Sequence, residues 1–368
     1  MIAVPGFVDA HTHLLRTASG IPFPWEGSTV ASFHREVASG GATPMDVPEP
    51  PAQDPFAARA KLLHDALGTA AAAGLAEVTE MGMRAWWYWD ALQALQQTAP
   101  LPARVRVYLA SGLAAGTAAG ELAARRSDCG PWIRLEGVKF YADGWLVPRT
   151  CALCQPFHDD RDSGLLFLDA AALARRIGPL AARGWRIATH AIGDRAIAAV
   201  LDAYETVWGH DPAAIAAAAP RIEHASIQSG DTIARMAALG VVACIQPSFA
   251  VTDAPEIPRA LGPGRQADAY PWAALAAAGV PLLAGSDYPI EVQEPLVGLA
   301  RLASGRSERA GFQTAACAPA GSRLDSPAAF ALMSDSGAGD TFLSADPRAV
   351  PAAEIDQVKV LGTAVRPF

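Results

Sequence analysis

The chain has 368 residues, 51% of them apolar and 18% charged, a globular balance that excludes disorder throughout and leaves room for a large core. Its 29 basic and 37 acidic residues give a net charge of −8 with no basic run, which argues against a nucleic-acid partner. No apolar stretch reaches the roughly 18–20 residues of a membrane span, Met1–Pro5 has no basic or apolar leader, and five Cys, an odd count, point to a reducing compartment, so a cytoplasmic location is expected.

A strand is expected over 3–9 (AVPGFVD), followed by a Pro- and Gly-rich loop over 15–55. A helix over 56–73 ends at Gly74, and a strand over 75–81 leads to a helix over 86–97. Strict alternation makes 104–110 (RVRVYLA) a strand, with a helix over 115–126 behind it. The strand over 135–142 (LEGVKFYA) opens into a long loop over 143–168, after which Asp169 is placed to cap a helix to residue 182. Strands over 185–189, 221–225, 241–245 and 280–284 complete a set of eight, with helices expected over 194–208, 231–239, 272–278 and from 295. Eight strand-like runs, most followed by a helix-like run, predict an α/β protein built as a parallel (β/α)8 TIM barrel, whose chemistry sits where strands run into helices.

Those strand ends carry ligand-type residues. The first ends in His11-Thr12-His13, two imidazoles on one side of the strand. Lys139 lies on the fourth strand, His190 ends the fifth, His224 lies on the sixth and Asp287 follows the eighth. The chain has eight His, and four fall at these positions. The set suits one or two divalent ions, with Zn favoured and Mn or Fe as alternatives. Such an ion makes hydroxide available at neutral pH, and Asp287 would move its proton. An ammonium repels a cation, so Lys139 is either carboxylated, its carbamate bridging two metals, or a cationic group that polarises substrate. Only three of the 29 basic residues are Lys, so a Lys here fits chemistry that Arg cannot perform.

PGFVDAHTHL, GVKFYADGWL, ATHAIGDRAI, RIEHAS and AGSDYPI together resemble the amidohydrolase superfamily, and within it amidohydrolase family 3, which includes N-substituted formamide deformylases. The resemblance is clearest over residues 1–14 and 130–300. It implies a metal-dependent hydrolase on a distorted barrel, with His11, His13, His190, His224 and Asp287 as metal and catalytic positions and Lys139 as the carboxylated lysine. The chain departs from the family in beginning directly at the HxH strand and in a Gly/Ser/Ala-rich stretch over 333–345 where apolar strands are usual. A barrel over 1–310 and a C-terminal tail over 311–368, remnant of a reduced or absent β-sandwich, are therefore expected. Trp145 stands where the family tends to carry small residues and is expected to reshape the pocket.

Other candidates are weaker. Cys151 and Cys154 have redox or zinc-knuckle spacing but no second pair, and read as loop residues. Trp86 opens an aromatic run after the second strand and is a candidate substrate contact, against packing at a helix start. Arg149 and His158 lie with Asp143 in the long loop, a candidate lid, and both are candidate substrate contacts. Glu80 is either a group supporting the metal ligands or a solvated or Arg-paired carboxylate, the latter favoured, and 193–195 reads as a helix cap. The expected function is hydrolysis of a C–N bond in an amide, formamide or cyclic amide of a small-molecule substrate by attack of a metal-bound hydroxide. The alternatives are ester hydrolysis, deamination or a non-hydrolytic step at the same centre, and a catalytically silent binding protein. A homo-oligomer is allowed for.

Overall fold

The computed structural model describes residues 1–15, 55–309, 311 and 316–368. The loop expected over 15–55 lies, but for its ends, outside them. Eight parallel strands pair in sequence order: β1 (Ile2–Thr12), β2 (Leu75–Met83), β3 (Arg104–Ala110), β4 (Ile133–Tyr141), β5 (Arg186–Ala191), β6 (Arg221–His224), β7 (Val242–Ile245) and β8 (Leu282–Ala284). The expected strands are all present, and β2, β6 and β7 are buried along their whole length, as parallel strands covered on both faces require. Most are followed by a helix that packs an apolar stripe back onto the sheet. Asp194–Val207, for example, buries Ile197, Val200, Leu201 and Tyr204. Asp169 caps the helix Ala170–Ala181 by accepting from the Ala172 N–H at 2.7 Å. The helix expected over 115–126 is two, Ser111–Gly116 and Ala119–Ser127, broken where Thr117 turns extended.

β8 and β1 share no ladder, but the segment after β8 runs beside the end of β1. Thr12 and Tyr288 form a parallel bridge. The Asp287 N–H donates to the His11 carbonyl at 2.7 Å, and the His13 N–H donates to the Tyr288 carbonyl at 2.8 Å. Gly285 permits this approach: a Cβ there would lie 2.3 Å from the His11 nitrogen. Asp9, buried, ties the same seam by accepting from the Ser286 N–H and hydroxyl at 2.9 and 2.6 Å.

The stretch over 333–345 is not strandless. β9 (Ser334–Leu343) pairs antiparallel with β1 from Ile2 to Phe7, and β10 (Val360–Val365) pairs with β9, extending the sheet to ten strands. Thr341 secures this edge from a buried position: its hydroxyl donates to the Gly74 carbonyl at 2.8 Å and accepts from the Phe7 N–H at 3.2 Å. Among the described residues no helix is long and apolar enough to cross a membrane.

Candidate metal centre

The C-terminal ends of β1, β4, β5 and β6 and the turn after β8 bring His11, His13, Lys139, His190, His224 and Asp287 to one cavity of about 280 Å³. Ring centroids lie 5.5 Å apart for His11 and His13, 5.1 Å for His11 and His224, and 4.5 Å for His190 and His224. Two of these residues have a left-handed backbone. His224, at the last position of β6, has φ 75°, and Asp287 has φ 58°. In a regular strand His224 would point away from the face that Glu223 uses. The positive φ gives both side chains buried polar roles, and such unfavourable backbone persists only where surroundings enforce it.

His11 and His190 are each held at one ring nitrogen. His11 Nδ1 lies 2.6 Å from Glu223 Oε2, which leaves Nε2 facing Asp287. Arg221 fixes Glu223 in turn, at 2.8 and 3.1 Å, and also donates to the Ala10 carbonyl. His190 Nε2 donates to the Gly144 carbonyl at 2.9 Å. A side chain at Gly144 would collide with the Thr150 hydroxyl at 2.1 Å, so the loop that offers this carbonyl needs glycine. His224 Nδ1 is buried and has no hydrogen-bond partner among the described residues. An unpartnered buried nitrogen is costly unless something outside the chain occupies it.

His11 Nε2 and His13 Nε2 lie 3.3 and 3.2 Å from Asp287 Oδ1. Atoms bound about 2.0–2.2 Å from a tetrahedral ion stand roughly 3.3–3.6 Å from one another. The three residues thus have the spacing of ligands around one divalent ion, and they form a group of ligand atoms within 4.8 Å of each other. A second such group, His11, Glu223 and Cys244, is already engaged internally, since Glu223 is spent on Arg221 and on His11.

The charge state suits a cation. Burial pushes the Asp287 carboxyl up, but His11 and His13 beside it hold it well below the usual carboxylate range. Burial, helped by the charge of Lys139, pulls His190 down to about 3, and burial next to His190 pulls His224 well below its ordinary value. Both rings are neutral at pH 7, as ligands must be. Burial lowers His13, but hydrogen bonds to Asp287 and Glu80 raise it more. Lys139 is fully buried, its Nζ 3.5 Å from His11 Nε2, and burial lowers its pKa. Asp143 anchors the loop after β4, accepting from the N–H groups of Ile192, Gly193 and Ala152 at 2.8–3.0 Å, while burial raises its pKa to about 7.

Of the expected substrate contacts, Trp145 lines the cavity. Trp86, Arg149 and His158 are not among its lining residues. The Trp86 indole donates to the Thr117 hydroxyl at 3.0 Å under the Arg125 guanidinium, facing the neighbouring helix. Arg149 pairs with Asp159 and Glu256 at 2.7 and 2.9 Å, and His158 is exposed against Gly262. Glu80 is buried rather than solvated; it accepts from the Leu15 N–H at 2.9 Å and stands 3.9 Å from His13 Nδ1. The walls contain residues the sequence reading did not single out: Tyr141, Phe249, Asp253 and Tyr270. Tyr141 was accessible to it, being two residues from Lys139 on one face of β4. Glu223 was accessible through its i, i+2 partner Arg221.

A family model described as the amidohydrolase family matches residues 35–346. YtcJ of Bacillus subtilis (strain 168) is 34% identical over 171 residues, covering 46% of this chain and 31% of its own length. The LONG AFTER FAR-RED 3 protein of Arabidopsis thaliana is 31% identical over 174 residues, 45% of this chain and 28% of its own length. The chain thus spans about a third of the length of these curated relatives. In fold it is similar to metal-dependent hydrolases of Pyrococcus furiosus and Pyrococcus horikoshii, with TM-scores of 0.68 and 0.67, identities of 20% and 19%, and coverage of 99% of this chain and 85% and 84% of theirs.

Proposed function

Because the chain belongs to the amidohydrolase family, we propose that this metal-dependent hydrolase cleaves a C–N bond in an amide, formamide or cyclic amide. The observation that carries the proposal is the convergence of His11, His13 and Asp287 at ligand spacing, with the unpartnered His224 nitrogen beside them. In this reading the eight parallel strands form a (β/α)8 barrel over 1–310, and 311–368 is the remnant of a β-sandwich. His11, His13, His190, His224, Asp287 and Lys139 hold one or two ions, with Zn favoured. When bound, the ion supplies Lewis acidity and lowers the pKa of water.

The chain's own residues do the rest. Asp287 is ionised and sits at the cavity floor, so its free oxygen can take a proton from the attacking water and deliver it to the leaving nitrogen. Glu223 keeps the Nδ1 proton of His11 on the side away from the reaction. Trp145, Tyr141 and Phe249 give the walls an apolar surface that displaces bulk water and strengthens each polar contact within. Burial lowers the Lys139 pKa, which favours the free amine that carbamate formation needs. The same proposal places the protein in the cytoplasm, acting on a small molecule, with no nucleic-acid or membrane partner and with a homo-oligomer as its assembly.

Formate release from N-benzylformamide and benzyl formate, measured with Zn-loaded protein and its Asp287→Asn variant, tests the C–N assignment. Amide turnover that falls about 10²–10⁴-fold in the variant is expected. Ester turnover alone, with formamides, acetamides and cyclic imides all untouched, would replace it with the ester reading.

A further inference from the structure

On the cavity wall stands a carboxylate that the chemistry above does not use. Asp253, just after the helix Phe249–Thr252, lines the cavity and is half-buried. Its Oδ2 accepts from the Tyr270 hydroxyl at 2.5 Å. No hydrogen bond reaches Oδ1 among the described residues. The nearby charges do not neutralise it. Glu291 and Glu256 repel it, and the one guanidinium that favours its ionised form, Arg149, is bound to Asp159 and Glu256. Burial raises its pKa to about 6, so the anion is present at neutral pH but poorly solvated. Beside it the wall is aromatic, with Tyr270, Phe249 and Trp145.

We propose that Asp253 is a substrate-binding residue that accepts a hydrogen bond from a cationic nitrogen, so that the site takes amides carrying an ammonium or amidinium group. This rests on the hydrolase reading and deepens it. A free carboxylate oxygen in an apolar pocket costs stability unless a donor meets it, and a cationic donor both pairs the charge and lies favourably over aromatic faces. The only cation lining the cavity among the described residues, Lys139, is packed against His11 and is not available to a substrate carboxylate. A purely structural role, holding Tyr270, would need one acceptor oxygen and no charge.

Calorimetric binding of benzamidinium and of its neutral analogue acetophenone to the Zn-loaded full chain separates these roles. Benzamidinium should bind about tenfold tighter or better, the value of one hydrogen bond to a charged group. Asp253→Asn still accepts from Tyr270 but lacks the charge, and should bring the two affinities within about twofold at unchanged melting temperature. Tyr270→Phe should keep the preference. Equal affinities in the wild type, no binding of either probe at millimolar concentration, or a preference that survives in Asp253→Asn would overturn the proposal. If Asp253→Asn does not fold, the wild-type comparison decides alone. A retained benzamidinium preference without any amide turnover would instead sink the C–N assignment and leave the subsite standing.

Discussion

At His11 the imidazole is held from two sides, Nδ1 by Glu223 at 2.6 Å and Nε2 facing Asp287 at 3.3 Å. Partners of this kind set ligand orientation, and their loss typically costs 10–100-fold in metal affinity. Glu223→Gln should therefore weaken Zn binding by about that factor in chelator competition, with the fold retained; unchanged affinity would show that Glu223 is only packing. Lys139→Arg keeps a cation but cannot form a carbamate. It should bind one ion fewer than wild type and lose most activity, read by metal analysis and by the mass of the peptide containing residue 139. A wild type holding a single ion and an unmodified Lys139 would remove the carbamate. The residues that converge on the cavity were legible in the sequence because strand end, residue type and spacing coincide. Asp253 was not, since a lone carboxylate after the short helix Phe249–Thr252 has no pattern until Tyr270 meets it. Trp86 misled because a sequence places a residue near a strand end without saying which neighbour its ring faces.

Among elements, β1 carries His11, leads directly into His13 and lies between β2 and β9, with the turn after β8 against its far end. Gly285 is the tightest point of that seam. Gly285→Ala drives a methyl into the His11 backbone, and overpacking of this kind costs about 1–3 kcal/mol. We expect a lowered denaturation midpoint together with weakened metal binding, because the displaced backbone is that of a ligand. An Ala variant with wild-type midpoint and metal content would show that the seam can yield. The parallel strands were legible because burial on both faces writes them as apolar runs. β9 was not, since SDSGAGDTFL has little intrinsic strand preference; its pairing is imposed by β1 on one side and β10 on the other.

For the molecule as a whole, buried groups make stability depend on pH in opposing directions. His190 has a folded pKa of about 3 against about 6.5 unfolded. Between those values the unfolded chain binds more protons, so stability rises with pH. His224, lowered, acts in the same direction, whereas Asp287, lowered, does so only below about pH 4. His13, raised, opposes them, its contribution being lost as pH rises above its folded value. Asp143 at about 7 and Asp253 at about 6, both raised from about 3.8, oppose the two histidines, so the melting temperature of metal-free protein should change little between about pH 4 and pH 6. A steep rise across that window would show that the two carboxyls are ionised in the folded protein, and a steep fall that the imidazoles are charged there.

The pairing of β1 with β9 also has a consequence for biosynthesis. The Phe7 amide and the Thr341 hydroxyl that it meets are 334 residues apart. At about 5–20 residues per second, the ribosome needs roughly 15–70 s to join them. Throughout that interval His11 and His13 belong to a strand whose outer neighbour has not been made, and Asp287 emerges only late. On the reading proposed above, an ion held jointly by His11, His13 and Asp287 is therefore bound only after most of the chain described here has been made.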